Sequence, residues 1–123
     1  MPDWSPNWND VRWDWGAAED AIRHLRRAAD LLEELTAERE RVASEAQREW
    51  RGRYREEFDE RLREMVRQAR SLAGEFREAA GRISQASRRA WEEQRRREIE
   101  RARWRAELEA EEAAARRGGG GAW

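Results

Sequence analysis

The sequence predicts an all-α protein: an antiparallel helical hairpin with a Trp-x-Gly turn, which pairs with a second hairpin to form a four-helix bundle. Apolar residues recur at alternating intervals of three and four along two long segments, the spacing of a helix that buries one stripe. A short stretch around Trp50 and Gly52 separates the segments. At about 1.5 Å per residue, residues 16–49 and 54–91 would span about 50 Å and 57 Å, so two arms of similar length flank a turn.

Composition limits the size of the core and the kind of partner. The chain has 123 residues, of which 43% are charged and 38% hydrophobic, enough for a narrow contact between helices but not for a thick core. A net charge of −1 argues against nucleic acid as a partner and against anionic membranes, and no stretch is apolar enough for direct membrane insertion. The absence of cysteine excludes disulfides and thiolate chemistry.

Residues 1–14 form a tryptophan-rich N-terminal extension in which Pro2 and Pro6 discourage helix. Asp14 is positioned to cap a helix that begins directly after it. Two interpretations of the indoles are open: they cover exposed ends of the bundle, or they bind a partner, since tryptophan dominates binding hot spots. The candidates for partner recognition along the whole chain are Trp4, Trp8, Trp13, Trp91 and Trp104.

The hairpin is predicted over residues 15–91, with the second helix the more regular. The residues expected to form the seam of the dimer or bundle are Ile22, Leu25, Leu32, Phe58, Leu62, Met65, Leu72, Phe76 and Ile83. Gly74 and Gly81 are seven residues apart; either they admit a neighbouring backbone, which we favour, or they are simply tolerated in the helix. Two helices alone bury only one stripe each, so we expect an obligate dimer, either with itself or with a sister chain.

Beyond the hairpin, residues 92–117 are predicted to be a charged helical extension of the second helix. Pairs such as Glu92 with Arg96 support a helix, but the segment lacks an apolar face, so we expect it to be solvated. Residues 118–123 are expected to be a disordered glycine-rich tail.

No catalytic residue, metal site or cofactor is predicted, and we do not expect an enzyme. His24 is the only histidine, and no base or metal-binding residue is clustered with it. The run Arg95–Arg97 suggests nucleic acid, but Glu98 and Glu100 dilute its positive field, which favours a solvated helix.

The tripeptide Trp50-Arg51-Gly52 lies at the midpoint of the chain, where the two helical patterns meet. A hairpin of about a hundred residues without cysteine and with Trp-x-Gly in its turn resembles the WXG100 (ESAT-6-like) family of type VII secretion, over residues 17–91. The chain contains arginine but no lysine and is rich in alanine, and this composition also fits a high-GC actinobacterium. The resemblance implies head-to-tail dimerisation, as a homodimer or as a heterodimer with a second WXG100-like protein or an effector. It also implies contact with a secretion ATPase.

One family feature is missing, which points to an atypical member. The usual export motif places a tyrosine four positions before an acidic residue, beyond the second helix. The only tyrosine here is Tyr54, and Phe58 occupies its fourth position. Either a partner therefore provides the export signal, or this member is not itself secreted. The resemblance implies a small secreted substrate or a chaperone and adaptor for a larger effector. It would be cytoplasmic, or secreted without a cleaved signal peptide. The alternative is a cytosolic coiled-coil scaffold or regulator unrelated to secretion, and a weaker third option is an arginine-rich helix that associates with nucleic acid.

Overall fold

The computed structural model describes residues 1–120 and contains two α-helices that pack against each other. Helix α1 comprises Trp15–Gln47 and helix α2 comprises Arg53–Gly120. No strand occurs within residues 1–120. The prediction of an all-helical protein is therefore confirmed.

Helix α1 begins where the sequence predicted. The Oδ1 atom of Asp14 accepts a hydrogen bond of 2.9 Å from the main-chain N–H of Ala17, which satisfies one of the first donors of the helix. The main-chain carbonyl of Asp14 also accepts from Ala18 at 3.0 Å. The helix start is thus fixed by local chemistry.

Residues 48–52 connect the two helices, and Gly52 supplies the conformation that this connection needs. Its φ of +107° lies in a region that residues with a Cβ atom rarely adopt. The space around Gly52 is open, so the requirement for glycine comes from the backbone and not from crowding.

Gly74 and Gly81, both within α2, behave differently from the expectation. A Cβ atom placed on Gly74 or Gly81 would meet nothing within 4 Å. Within this chain, the prediction that they admit a neighbouring backbone is therefore wrong. The close approach of the helices occurs at alanines instead.

Helix α2 continues without interruption through the segment predicted as an extension. It also includes Gly118, Gly119 and Gly120, where a disordered tail was expected, because glycine weakens a helix by only about 1 kcal/mol per residue and does not forbid it. The last part of the expected tail, residues 121–123, lies outside the described residues.

The chain divides into two compact units. One unit is Asp14–Gln85, which holds α1 and the first part of α2. The other combines Met1–Trp13 with α2 from Ala86 onward. The N-terminal extension is therefore packed against the charged part of α2, whereas the sequence suggested a separate segment.

Candidate interaction surfaces

Small side chains occupy the centre of the contact between α1 and α2. Ala29, Ala73 and Ala80 are completely buried, and Thr36 is 5% exposed. The hydroxyl of Thr36 donates to the main-chain carbonyl of Leu32 at 2.6 Å, so no polar group is left unsatisfied there. Six of the buried residues recur every seven positions: Ala29, Thr36 and Ala43 on α1, and Val66, Ala73 and Ala80 on α2. Ala18, near the start of α1, is also buried but lies outside this series.

The centre of this contact on α2 lies beside the predicted seam. The buried positions follow Met65, Leu72 and Ala79 by one residue, which is about 100° further around the helix. Alanine at the centre lets the two backbones come close, and larger residues are then displaced to the flank. The periodicity identified the apolar side of α2 but not the line that faces α1.

The larger apolar side chains form one surface of the hairpin, which we call the apolar face. Leu35 is 62% exposed, Val42 52% and Leu72 41%. The other predicted seam residues are half-buried: Ile22, Leu25, Leu32, Phe58, Leu62, Met65, Phe76 and Ile83. A groove of about 390 Å³ runs between the helices on this face, and its lining includes Val42, Phe58, Leu62 and Met65.

A smaller groove of about 210 Å³ involves Leu32, Leu35, Met65 and Ala69. Arg39 borders both grooves, and its guanidinium donates to the Sδ atom of Met65 at 3.4 Å. This contact places a charged side chain across the apolar face, while Arg39 itself remains exposed.

Ion pairs occupy the opposite flank of the helix contact. Arg77 of α2 contacts Asp30 at 2.9 Å and also pairs with Glu33, and Arg70 contacts Glu40 at 3.1 Å. The hydrogen bond from Arg77 lowers the pKa of Glu33 below its ordinary value, and the two carboxylates raise the pKa of Arg77. The hairpin thus has one apolar and one ionic flank.

The residues of the Trp-x-Gly sequence lie at the connection between the helices. The ring of Trp50 packs on Phe58 with centroids 5.2 Å apart and planes tilted by 54°. The main-chain carbonyl of Trp50 accepts a hydrogen bond of 2.9 Å from Arg55. These contacts hold the indole beside the first turn of α2.

Residues 1–13, which we call the strap, contact α2 through their indoles. Trp4 Nε1 donates to Glu107 at 2.5 Å, and Trp13 Nε1 donates to Ser87 at 3.0 Å. The ring of Trp8 meets Trp104 edge-on at 5.4 Å. These four indoles are therefore engaged within the chain.

Trp91, the remaining candidate for partner recognition, is 57% exposed. It therefore differs from the other four candidates, which have contacts within the chain.

The charged part of α2 is less solvated than expected, because the strap covers one side of it. The side chain of Arg101 is only 13% exposed and that of Arg97 only 20%. Hydrogen bonds from Gln94 and Arg101 lower the pKa of Asp10, and the hydrogen bond from Trp4 lowers the pKa of Glu107. The expectation of a fully solvated helix is wrong on this side.

Within residues 1–120, no group of three or more His, Asp or Glu side chains is arranged to hold a metal ion. Neither helix, over the same residues, contains an apolar stretch long enough to cross a membrane.

No family model matches the chain, and no curated protein or solved structure matches it significantly.

Proposed function

We propose that the protein is a WXG100-like helix-pairing protein of a type VII secretion pathway. The observation that carries this proposal is the apolar face, on which Leu35 and Val42 remain exposed beside the grooves between the two helices and Leu72 is exposed as well. A second hairpin placed on this face would bury these side chains and complete a four-helix bundle. Burial of a leucine or valine side chain contributes about 1.5–3 kcal/mol, so a few such residues can sustain a dimer.

The pathway assignment rests on the sequence resemblance and on its fit to the hairpin. Trp50 and Gly52 lie in the short connection, where glycine has a positive φ and the indole packs on Phe58. In this proposal the chain acts through association alone, as a secreted substrate or as an adaptor for an effector, and performs no catalysis. Its partner is a second copy, a sister hairpin or an effector, and a secretion ATPase recognises the assembled complex.

Two substitutions on either side of Thr36 test the pairing. Leu35 precedes Thr36 on the apolar face, and Ala37 follows it on the opposite side of the helix; both are exposed. Sedimentation velocity of the full chain should show a dimer. Leu35→Asp should weaken self-association at least tenfold, because each partner would bury an unpaired charge. Ala37→Asp introduces the same charge away from the groove and should leave the dimer unchanged.

A chain that stays monomeric at about 100 µM would argue against the homodimer, because a dimer of micromolar Kd would dominate at that concentration. Co-expression with candidate hairpins from neighbouring genes would then test the heterodimer, with Leu35→Asp again the disruptive variant. Equal effects of the two substitutions would contradict the assignment of the apolar face.

The secretion pathway needs a separate measurement. In the source organism, the chain or its bound effector should appear in the culture medium, and deletion of the secretion ATPase should abolish this. Unchanged export after the deletion would contradict the pathway and would leave the helix pairing intact.

A further inference from the structure

The strap is held partly through its own main chain. Arg101 donates to the main-chain carbonyl of Asn7 at 2.9 Å and to that of Asn9 at 2.8 Å, and Arg97 donates to Asn9 at 2.9 Å. The side-chain oxygen of Gln94 accepts from the main-chain N–H of Val11 at 2.8 Å. These contacts are independent of which side chains the strap carries at the same positions.

The indoles, in contrast, make the contacts that depend on the side chains of the strap. Trp4 and Trp8 are four residues apart, and each ring lies 5.2 Å from a guanidinium, that of Arg103 and Arg105 respectively. Such cation–π contacts add to the hydrogen bond at Trp4 and to the edge-on contact between Trp8 and Trp104. Main-chain recognition together with spaced aromatic anchors is typical of surfaces that bind extended peptides.

The length of the strap matches the surface. Its ends contact Glu111, through the amino group of Met1 at 2.8 Å, and Ser87, through Trp13. Between those two contacts the helix advances about 36 Å at 1.5 Å per residue. Residues 1–13 span about 37 Å at the polyproline rise of about 3.1 Å per residue, a conformation that Pro2 and Pro6 favour. The strap therefore lies antiparallel to α2 as one extended segment.

The contact is also open to exchange. Trp8 is 46% exposed, and the carboxylate of Asp10, which pairs with Arg101 at 2.9 Å, is 74% exposed. Arg101 in this pair is only 13% exposed, but the pair of the Met1 amino group with Glu111 is exposed on both sides, and such exposed pairs contribute little to stability. Segments held by few buried apolar contacts open at a small fraction of the cost of global unfolding.

We propose that the side of α2 from Ser87 to Glu111 is a recognition surface for an extended, tryptophan-bearing segment of a second protein chain. The chain's own strap is the resident ligand, and the incoming segment displaces it. The incoming segment presents indoles four and five residues apart, as in Trp4, Trp8 and Trp13, and prolines that keep it extended. This inference is independent of helix pairing through the apolar face.

A peptide of residues 1–13, labelled at its C-terminal end, tests the proposal against the full chain. In the chain carrying Trp4→Ala and Trp8→Ala, the resident strap competes less. The effective concentration of a tethered segment is in the millimolar range, so the wild-type peptide should bind this variant at least about tenfold more tightly than the wild-type chain. Ile99→Ala in the chain is the control: Ile99 is 56% exposed and lies about 200° around α2 from Arg101, so peptide binding should stay at the wild-type level. A peptide with the two alanines should bind neither protein.

Equal affinity of the wild-type peptide for the variant and the wild-type chain would overturn the proposal, as would equal binding of the two peptides. A second measurement does not depend on any variant. Hydrogen exchange at the main-chain N–H of Val11 should accelerate in the wild-type chain when millimolar peptide is added, because the peptide displaces this group from Gln94. Unchanged exchange at Val11 would also overturn it.

Discussion

The indole Nε1 of Trp104 donates a hydrogen bond of 2.9 Å to the main-chain carbonyl oxygen of Trp4. The same indole ring receives Trp8 edge-on at 5.4 Å. One side chain of α2 therefore holds the strap at two points, by a hydrogen bond and by an aromatic contact. Its replacement separates the two contributions.

Trp104→Phe should loosen the strap without releasing it. Phenylalanine keeps an aromatic ring in contact with Trp8 but removes the N–H that donates to the main-chain carbonyl of Trp4. The free energy of strap docking should therefore weaken by about 1 kcal/mol. Hydrogen exchange at the main-chain N–H of Val11 should accelerate about fivefold as a result. Trp91→Phe, at an exposed position of the same helix, is the control. Equal exchange in the two variants would show that the hydrogen bond does not hold the strap.

Acidification should release the strap. Hydrogen bonds from Gln94 and Arg101 hold the pKa of Asp10 below its ordinary value in the folded chain, and the hydrogen bond from Trp4 does the same to the pKa of Glu107. A lowered folded pKa contributes stability that is present above the ordinary pKa and lost as the pH falls through the folded value. Exchange at Val11, corrected for its intrinsic pH dependence, should therefore accelerate below about pH 4. Asp10→Asn should reduce the size of this change, and an unaltered profile would contradict the role of that carboxylate.

A larger side chain in place of a buried alanine between α1 and α2 should destabilise the hairpin. Ala73 is completely buried between the helices, so Ala73→Leu should lower the free energy of unfolding by about 1–3 kcal/mol through overpacking. Ala37→Leu adds the same atoms at an exposed position away from the grooves and should change stability by less than about 0.5 kcal/mol. Urea unfolding followed by circular dichroism compares the two. Similar losses would mean that the helices are not closely packed at Ala73.

Two glycine substitutions should have opposite effects. Gly52→Ala should destabilise the chain by about 1–2 kcal/mol, because a φ of +107° brings the Cβ atom against its own backbone. Gly74→Ala lies within α2 and meets open space, so it should stabilise the chain by up to about 1 kcal/mol. Thermal unfolding of both variants checks the signs. Stabilisation by Gly52→Ala would contradict the conformation of the connection.

The sequence predicted those features that depend on neighbouring residues. Asp14 caps α1 because the cap needs only a side-chain oxygen and a main-chain N–H three residues later. The two helices likewise follow from periodicity. The contact line through Ala73 and Ala80 was missed, because three-and-four spacing marks an apolar side about 100° wide and does not select the line within it.

The strap could not be predicted, because its contacts join residues that are 74 to 110 positions apart. Two features that sequence analysis left unexplained nevertheless complement each other. The N-terminal residues offered indoles without a helix to carry them, and residues 92–117 offered a helix without an apolar face. Their pairing satisfies both, although no local rule connects them.

On both helices the small buried residues recur every seven positions. Two alignments of α1 with α2 are therefore nearly equivalent in packing. A slip of seven residues, about 10.5 Å along the axis, would again place small residues opposite small residues. It would also bring Arg77 opposite Glu40 in place of Glu33, so the charges distinguish the two alignments only weakly. Alignment is therefore imposed by the tether of residues 48–52, which is too short to bridge such a slip. If α1 and α2 were separate peptides, nothing would select one of these two alignments, because the connection that now selects it would be missing.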